Sequence, residues 1–149
     1  MVCGQQAGTL ATIAPVSLMR LLQTFLVEDS PVIRENLIAT LEELAPVRVV
    51  GFAADESTAL GWLTERPAEL VIVDLFLQGG SGLGVLRSGC AKLNGSRQVV
   101  LSNYATAEMR QRCLLLGADA VFDKSTEIEA LVAYCCRLAL ERQQVDPAA

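Results

Sequence analysis

Short apolar segments alternate with longer amphipathic ones along most of the chain. The apolar segment TFLV at 24–27 is followed by SPVIRENLIATLEEL, in which Ser30 suits an N-cap and Pro31 the first helical position. Leu37 and Leu41 then recur at helical spacing. This pattern predicts a strand followed by a helix that buries one stripe of its surface.

The same alternation repeats to the end of the chain, which predicts an α/β fold of the (βα)5 type. LVIVD at 70–74 is apolar at consecutive positions, as expected for a strand covered on both faces. We therefore predict a flavodoxin-like, five-stranded parallel sheet of order 2-1-3-4-5 with helices on both faces. The other strands are predicted at 47–53, 98–102 and 120–122, and the other helices at 55–66, 82–92, 105–116 and 127–142.

A length of 149 residues favours one domain. Residues 1–21 have no clear period and are expected to be a flexible N-terminal extension. Within them, residues 1–18 are either a disordered extension or the result of a misassigned start. The domain itself is predicted at 22–142, and 143–149 are expected to form a frayed C-terminal tail.

Composition narrows the function. A net charge of −5 and a pI near 4.7 argue against binding to nucleic acid. No apolar run reaches the ~18 residues of a membrane helix, and no basic region opens a signal peptide, so we expect a cytoplasmic protein. The absence of histidine excludes a Ser-His-Asp triad, a histidine metal site and a phosphohistidine carrier.

The cysteines are odd in number and lack metal-site spacing, so we interpret them as reduced thiols: Cys3, Cys90, Cys113, Cys135 and Cys136.

Polar residues follow the predicted strands at their carboxyl ends, where open parallel sheets bind ligands. Each residue alone could be a helix cap or a solvated side chain, but together they would meet on adjacent strands. They are Glu28 and Asp29 after strand one, Asp74 at the end of strand three, Ser102 at the end of strand four and Lys124 after strand five.

This set of residue types points to phosphoryl chemistry. Three neighbouring carboxylates repel one another and raise one another's pKa unless a cation joins them. Oxygen ligands in this number suit Mg²⁺, which also binds phosphate oxygens. A lysine and a hydroxyl nearby would contact the anion, and Asp74 would serve as the nucleophile.

Four segments carry a resemblance to the response-regulator receiver domain of two-component signalling, which extends over residues 22–140. The acidic pair, the aspartate, a glycine eight residues after it, the hydroxyl residue and the lysine all occur in order. The segments are LVEDSP (26–31), VIVDLFLQGGSGL (71–83), VVLSNYA (99–105) and GADAVFDKS (117–125).

The resemblance implies that a sensor histidine kinase or a histidine phosphotransfer protein donates a phosphoryl group to Asp74. It also implies that Mg²⁺ is held by Asp29, Asp74 and the backbone carbonyl of Phe76, with Glu28 acting partly through water. The phosphoryl oxygens would be bound by Ser102 and Lys124.

The chain departs from the family pattern at several positions. Ser125 follows the lysine where most receivers have proline. The position of the usual switch aromatic is Val121, and Phe122 beside it should face the other way. Phe76 and Tyr104 occupy two positions that often tune phosphate lifetime, so we hypothesise that these aromatics slow dephosphorylation by restricting water.

The leading hypothesis is a single-domain receiver that signals to a separate, unknown effector protein; a homodimer is also compatible. The alternative is a degenerate receiver used as a phosphorylation-independent docking or dimerisation module. An enzyme of the haloacid dehalogenase type is disfavoured because Phe76 stands where that chemistry needs a second aspartate. The loop GGSGLG at 79–84 lacks the pattern of a P-loop or a dinucleotide fingerprint, which disfavours nucleotide binding.

Overall fold

A computed structural model describes residues 20–103 and 105–144. The predicted architecture is confirmed: five parallel strands lie in the order β2-β1-β3-β4-β5. The strands are β1 Leu22–Val27, β2 Val47–Ala53, β3 Leu70–Val73, β4 Arg97–Ser102 and β5 Ala120–Asp123. The helices are α1 Pro31–Leu44, α2 Glu56–Glu65, α3 Gly82–Ser88, α4 Cys90–Leu93, α5 Ala107–Leu115 and α6 Ile128–Gln144.

Helices cover both faces of the sheet. On one face, Leu41 of α1 and Leu131 of α6 pack with Ile72 of β3 in one cluster. On the other face, Leu63 of α2 packs with Val73 of β3 in a second cluster. All four residues of β3 are buried, as the consecutive apolar pattern predicted.

The predicted helix at 82–92 is wrong in one respect, because it is two short helices. The chain turns at Gly89, which adopts a left-handed conformation with φ of 74°. A left-handed residue ends the hydrogen-bond ladder of a helix, and glycine adopts it without steric cost. The helix that follows, α4, is a single turn.

Smaller differences lie at the ends of other elements. β1 begins at Leu22, two residues before the apolar segment that predicted it. The last helix continues to Gln144, past the predicted end at Arg142. Residues 1–19 and 145–149, on which the predictions of an extension and a tail mostly fall, lie outside the described residues.

Cysteine placement agrees with reduced thiols in the described chain. Cys113 and Cys135 are buried, and Cys90 and Cys136 are partly exposed, all four as free thiols. Within the described residues, no helix is long and apolar enough to cross a membrane.

Candidate functional site

The carboxyl edge of the sheet places two acids side by side. β1 and β3 are neighbours, and Val27 pairs with Val73, so the residue after each strand emerges at the same level. The N–H of Asp74 donates to the carbonyl of Val27 at 2.9 Å, which extends the pairing one residue beyond β3. Asp74 thus lies directly after the strand, whereas the sequence predicted it as the last strand residue.

A backbone N–H group orients each of three carboxylates at this edge. One oxygen from each acid accepts such a hydrogen bond, and the three carboxylates offer oxygens that all lie within 4.8 Å of one another. The pairs are Glu28 with the N–H of Ser30 at 3.1 Å, Asp29 with that of Gln78 at 2.9 Å, and Asp74 with that of Phe76 at 3.3 Å.

Lys124 joins the cluster from the loop after β5. Its Nζ lies 2.7 Å from Glu28 Oε1 and 3.1 Å from Asp74 Oδ2, and its side chain is 10 % exposed. Its backbone N–H donates to the carbonyl of Ser102 at 2.9 Å, so the last residue of β4 is also its neighbour. The structure therefore brings together the residues that the sequence selected from four separate strand ends.

Burial and charge act against each other on the two central groups. Burial raises the pKa of the Asp74 carboxyl, and the Glu28 charge adds to this rise, although the Lys124 ammonium opposes it. Burial lowers the pKa of Lys124, but the hydrogen bonds and charges of Glu28 and Asp74 outweigh it, so its pKa rises. The Lys124 ammonium therefore stays charged, whereas desolvation destabilises the ionised form of Asp74.

The glycine eight residues after Asp74 is required by a close approach of two backbone segments. A β-carbon on Gly82 would overlap the carbonyl oxygen of Asp74 and lie 2.8 Å from the Cα of Leu75. The N–H of Gly82 donates to the carbonyl of Leu75 at 3.1 Å. Any side chain at this position would push the start of α3 away from the acidic cluster.

The donor set fits a hard divalent cation. Glu28, Asp29 and Asp74 offer anionic oxygens, the ligands that Mg²⁺ prefers, and these oxygens lie close enough together for the three residues to hold one ion. Glu28 is 2 % exposed and Asp74 is 7 % exposed, so their charges are poorly solvated. A cation here would relieve repulsion that one lysine only partly offsets.

Comparison with known proteins gives a family for this arrangement. Residues 24–135 match the response regulator receiver domain. This chain belongs to that family. A probable transcriptional regulatory protein from Picosynechococcus is 35 % identical over 125 residues, which cover 79 % of this chain and 49 % of that protein.

Solved structures of response regulators share this fold. A response regulator from Burkholderia pseudomallei is 25 % identical with a TM-score of 0.67, covering 85 % of this chain and 74 % of that one. The response regulator domain of Thermotoga maritima CheB is 21 % identical with a TM-score of 0.68, covering 86 % and 100 %. The chain spans half or less of the length of the first curated relatives it matches, between 28 % and 49 %.

The departures from the receiver pattern have visible structural consequences. Val121 packs beside the cluster that contains Cys113 of α5, whereas Phe122 packs on the opposite face and meets the Tyr134 ring edge-on at 5.8 Å. The alternation predicted for this strand is therefore correct. Phe76 is 52 % exposed, and Tyr104 lies outside the described residues.

The loop after Lys124 is held without a proline. Asp123 Oδ1 accepts from the N–H of Ser125 at 2.8 Å and from its hydroxyl at 2.6 Å. It also accepts from the N–H of Thr126 at 3.2 Å. These bonds lower the pKa of the Asp123 carboxyl, the Ser125 side chain acting most strongly. A side-chain turn thus fixes the backbone beside Lys124.

Two arginines support the site, and neither was predicted from the sequence pattern. Arg34 donates to the carbonyl of Glu28 at 3.1 Å, and its guanidinium lies 4.1 Å from the centre of the Phe52 ring. Arg110 of α5 donates to the carbonyls of Ala105 and Val121 at 3.0 and 2.9 Å. Arg34 thereby connects α1 to Phe52 of β2, and Arg110 connects α5 to Val121 of β5.

Proposed function

We propose that this receiver domain is a phosphoacceptor switch in which Asp74 takes a phosphoryl group from a sensor histidine kinase or a histidine phosphotransfer protein. The observation that carries the proposal is the contact of Asp74 with Lys124 inside the acidic cluster. The Burkholderia relative, described with a phosphorylated aspartic acid and a calcium ion, supports this chemistry.

The transfer is a displacement at phosphorus. A carboxylate oxygen of Asp74 forms a bond to phosphorus while the bond from phosphorus to the donor's imidazole nitrogen breaks, and that nitrogen keeps the electron pair. Lys124 then exchanges its contact with Asp74 for a phosphoryl oxygen, and the Ser102 hydroxyl binds another. Burial of Asp74 keeps bulk water away from the new acyl phosphate.

Asp29, Asp74 and Glu28 would hold Mg²⁺, together with the backbone carbonyl of Phe76. When bound, Mg²⁺ would neutralise negative charge on the phosphoryl oxygens during transfer. The N–H groups that orient the three carboxylates would preserve their geometry between one phosphorylation event and the next.

The test is phosphorylation by acetyl phosphate or phosphoramidate with Mg²⁺, read by intact mass. We expect an acid-labile adduct of one phosphate in the wild type and none in Asp74→Asn. Asp119→Asn, at the opposite (amino) end of β5 from the acidic cluster, serves as the matched control and should label normally. Failure of the wild type to label with several donors would favour the phosphorylation-independent docking module, which the lack of an aromatic at Val121 also motivates.

We further propose that Phe76 and Tyr104 prolong the phosphorylated state. The half-exposed ring of Phe76 stands two residues from the acceptor, where it can limit the approach of water. Phe76→Ala and Tyr104→Ala should shorten the lifetime of phospho-Asp74, measured as decay after removal of the donor. Unchanged decay in both variants would contradict this role.

The output of the whole protein is proposed to pass through contacts with a separate effector protein. Phosphorylation would alter the face that includes α5, β5 and α6, because Ser102 and Lys124 both connect to it.

A further inference from the structure

The glycine-rich loop at 79–84 is explained by a carboxylate that it encloses. Glu56, the first residue of α2, directs its side chain against this loop, and its Oε1 accepts from the N–H of Ser81 at 2.9 Å. Ser81 is the N-cap of α3. This glycine-rich loop therefore holds a side-chain carboxylate of the same chain.

Two glycines make room for this carboxylate. A β-carbon on Gly80 would lie 2.5 Å from the Cβ of Glu56, and Gly80 also has φ of 84°, which disfavours other residues. A β-carbon on Gly84, inside α3, would overlap the carboxylate itself. Glycine inside a helix costs stability, so its presence at 84 is explained by the space that Glu56 needs.

The contact between the two helix starts is reciprocal. The N–H of Glu56 donates to the carbonyl of Gly79 at 2.9 Å, while the Glu56 carboxylate accepts from Ser81. Asp55 and Gly79 also form an isolated parallel bridge. Segment 78–81 is thus fixed to the start of α2 by backbone and side-chain bonds together.

The fixed segment reaches the acidic cluster at its other end. Gln78 N–H donates to Asp29 Oδ2 at 2.9 Å, although the two residues lie far apart in sequence. A continuous set of bonds therefore runs from Glu56, through the loop, to one of the carboxylates proposed to bind the metal.

We propose that Glu56 is a positioning residue for the metal site: its carboxylate, seated between Gly80 and Gly84, fixes segment 78–81 so that the Gln78 N–H holds Asp29 in a ligating orientation. This inference rests on the proposed function only for the identity of the cation. The placement of the loop is a separate property that can be measured without any metal.

The first experiment measures amide hydrogen exchange by NMR in metal-free protein. Glu56→Ala should accelerate exchange at Gln78 as well as at Ser81, because the loop loses its attachment. Glu56→Gln retains an acceptor oxygen of similar reach and should restore slow exchange at both. Wild-type exchange at Gln78 in Glu56→Ala would overturn the proposal.

The second experiment measures Mg²⁺ affinity by calorimetry. Glu56→Ala should weaken binding by about fivefold, less than the tenfold or greater loss that follows removal of groups bonded directly to ligands. Glu56→Gln should stay within about twofold of the wild type, since it keeps the hydrogen bond. Glu65→Ala, at the exposed end of the same helix, is the control for loss of a negative charge.

Gly84→Ala tests the space between Gly80 and Gly84 in which the Glu56 carboxylate lies. The added methyl should expel the Glu56 carboxylate and weaken Mg²⁺ binding as Glu56→Ala does, and the double variant should be no weaker than either single one. Gly61→Ala in α2, where a β-carbon meets nothing within 4 Å, should leave affinity unchanged. Additive losses of Mg²⁺ affinity in the double variant would contradict the proposal, because Gly84 and Glu56 would then act independently.

The outcomes also separate this inference from the proposed function. If the wild type binds Mg²⁺ and labels on Asp74 but Glu56→Ala matches it, the positioning role alone fails. If the wild type binds no Mg²⁺, the proposed metal site fails, and the exchange data decide whether Glu56 fixes the loop.

Discussion

Lys124 is the residue on which the charge balance of the acidic cluster depends. Its ammonium contacts Glu28 and Asp74 in a place where water reaches little of any of the three side chains. Removal of one partner from a buried ion pair leaves the other charge uncompensated, which costs far more than the net worth of the pair. We therefore expect the lysine to stabilise the metal-free protein, apart from the phosphoryl-binding role proposed for it.

We expect Lys124→Met to lower the free energy of unfolding by about 2–4 kcal/mol in metal-free buffer. Mg²⁺ should restore more stability to this variant than to the wild type, because the carboxylates then have no other cation. Urea unfolding with and without MgCl₂ measures both effects. Lys92→Met is the control, since its 4.0 Å contact with Asp119 is well exposed and should contribute little. Equal losses in the two variants would contradict this account.

Asp74 itself should reduce stability at neutral pH. Its raised pKa means that the folded protein binds this proton more tightly than the unfolded chain, so ionisation costs stability above the raised pKa. The cost disappears once the pH falls below the ordinary value of 3.8, because the group is then protonated in both states.

Lys124 keeps its 2.7 Å contact with Glu28 when Asp74 is replaced, so its charge stays compensated. Asp74→Asn should therefore unfold at a higher urea concentration than the wild type at pH 7 in metal-free buffer. The difference should narrow as the pH falls through the raised pKa toward 3.8. Urea midpoints across this pH range provide the measurement. A variant less stable than the wild type at pH 7 would show that the contact with Lys124 outweighs the burial of the carboxylate.

At the scale of elements, the sequence predicted the type and order of nearly every strand and helix. β3 was identifiable because a strand covered on both faces must be apolar at consecutive positions. Pro31 and Ser30 marked the start of α1, and the Ser30 side chain does cap it. The break at Gly89 was missed because a glycine inside a helical pattern marks either a tolerated weak point or an end.

The sequence did not reveal a set of hydrogen bonds around Arg110, which forms a clamp between two loops. Its guanidinium binds the carbonyls of Ala105 and Val121 and the carboxylate of Glu127, the last at 2.7 Å. The same Glu127 oxygen accepts from the N–H of Asp123 at 2.8 Å. The clamp joins the loop after Ser102 to the loop that carries Lys124, which gives these two loops a connection that needs no aromatic at Val121.

We expect Arg110→Ala to accelerate amide exchange in both loops and to lower the melting temperature. The hydrogen bond from Arg110 lowers the pKa of Glu127, so the ion pair stabilises the fold above the ordinary value of 4.5 and is lost as the pH falls through the lowered pKa. Glu127→Gln should thus be destabilised at pH 7 and approach the wild type in acid. Arg112→Ala, an exposed arginine on the same helix, is the control and should exchange like the wild type.

At the scale of the whole molecule, the sequence located the site through a rule of topology. The carboxyl ends of adjacent parallel strands meet at one edge of the sheet. The sequence alone could therefore place five distant residues close together: Glu28, Asp29, Asp74, Ser102 and Lys124. Contacts between loops follow no such rule. Glu56 and Gln78 were missed because their partners depend on how loop 78–81 folds against α2.

Binding of Mg²⁺ at the acidic cluster should stabilise the entire fold. A cation that binds only the folded chain raises the free energy of unfolding with its concentration, by about 2.7 kcal/mol at one hundred times the dissociation constant. The unfolded chain cannot bring Glu28, Asp29 and Asp74 together, so Mg²⁺ should bind the folded state alone. Wild-type urea midpoints should therefore rise continuously with MgCl₂.

Asp29→Asn separates this effect from general salt screening. The asparagine oxygen can still accept from Gln78, so the loop keeps its attachment while the cluster loses one negative charge. Asp55→Asn makes the same chemical change outside the cluster, at an N-cap where asparagine performs as well as aspartate. Mg²⁺ should stabilise Asp55→Asn as it does the wild type and Asp29→Asn much less. If both variants lose the stabilisation by Mg²⁺ equally, the ion acts by screening the acidic surface. An ion bound in the cluster would instead lose affinity when its ligand Asp29 is replaced and keep it when the helix cap Asp55 is replaced.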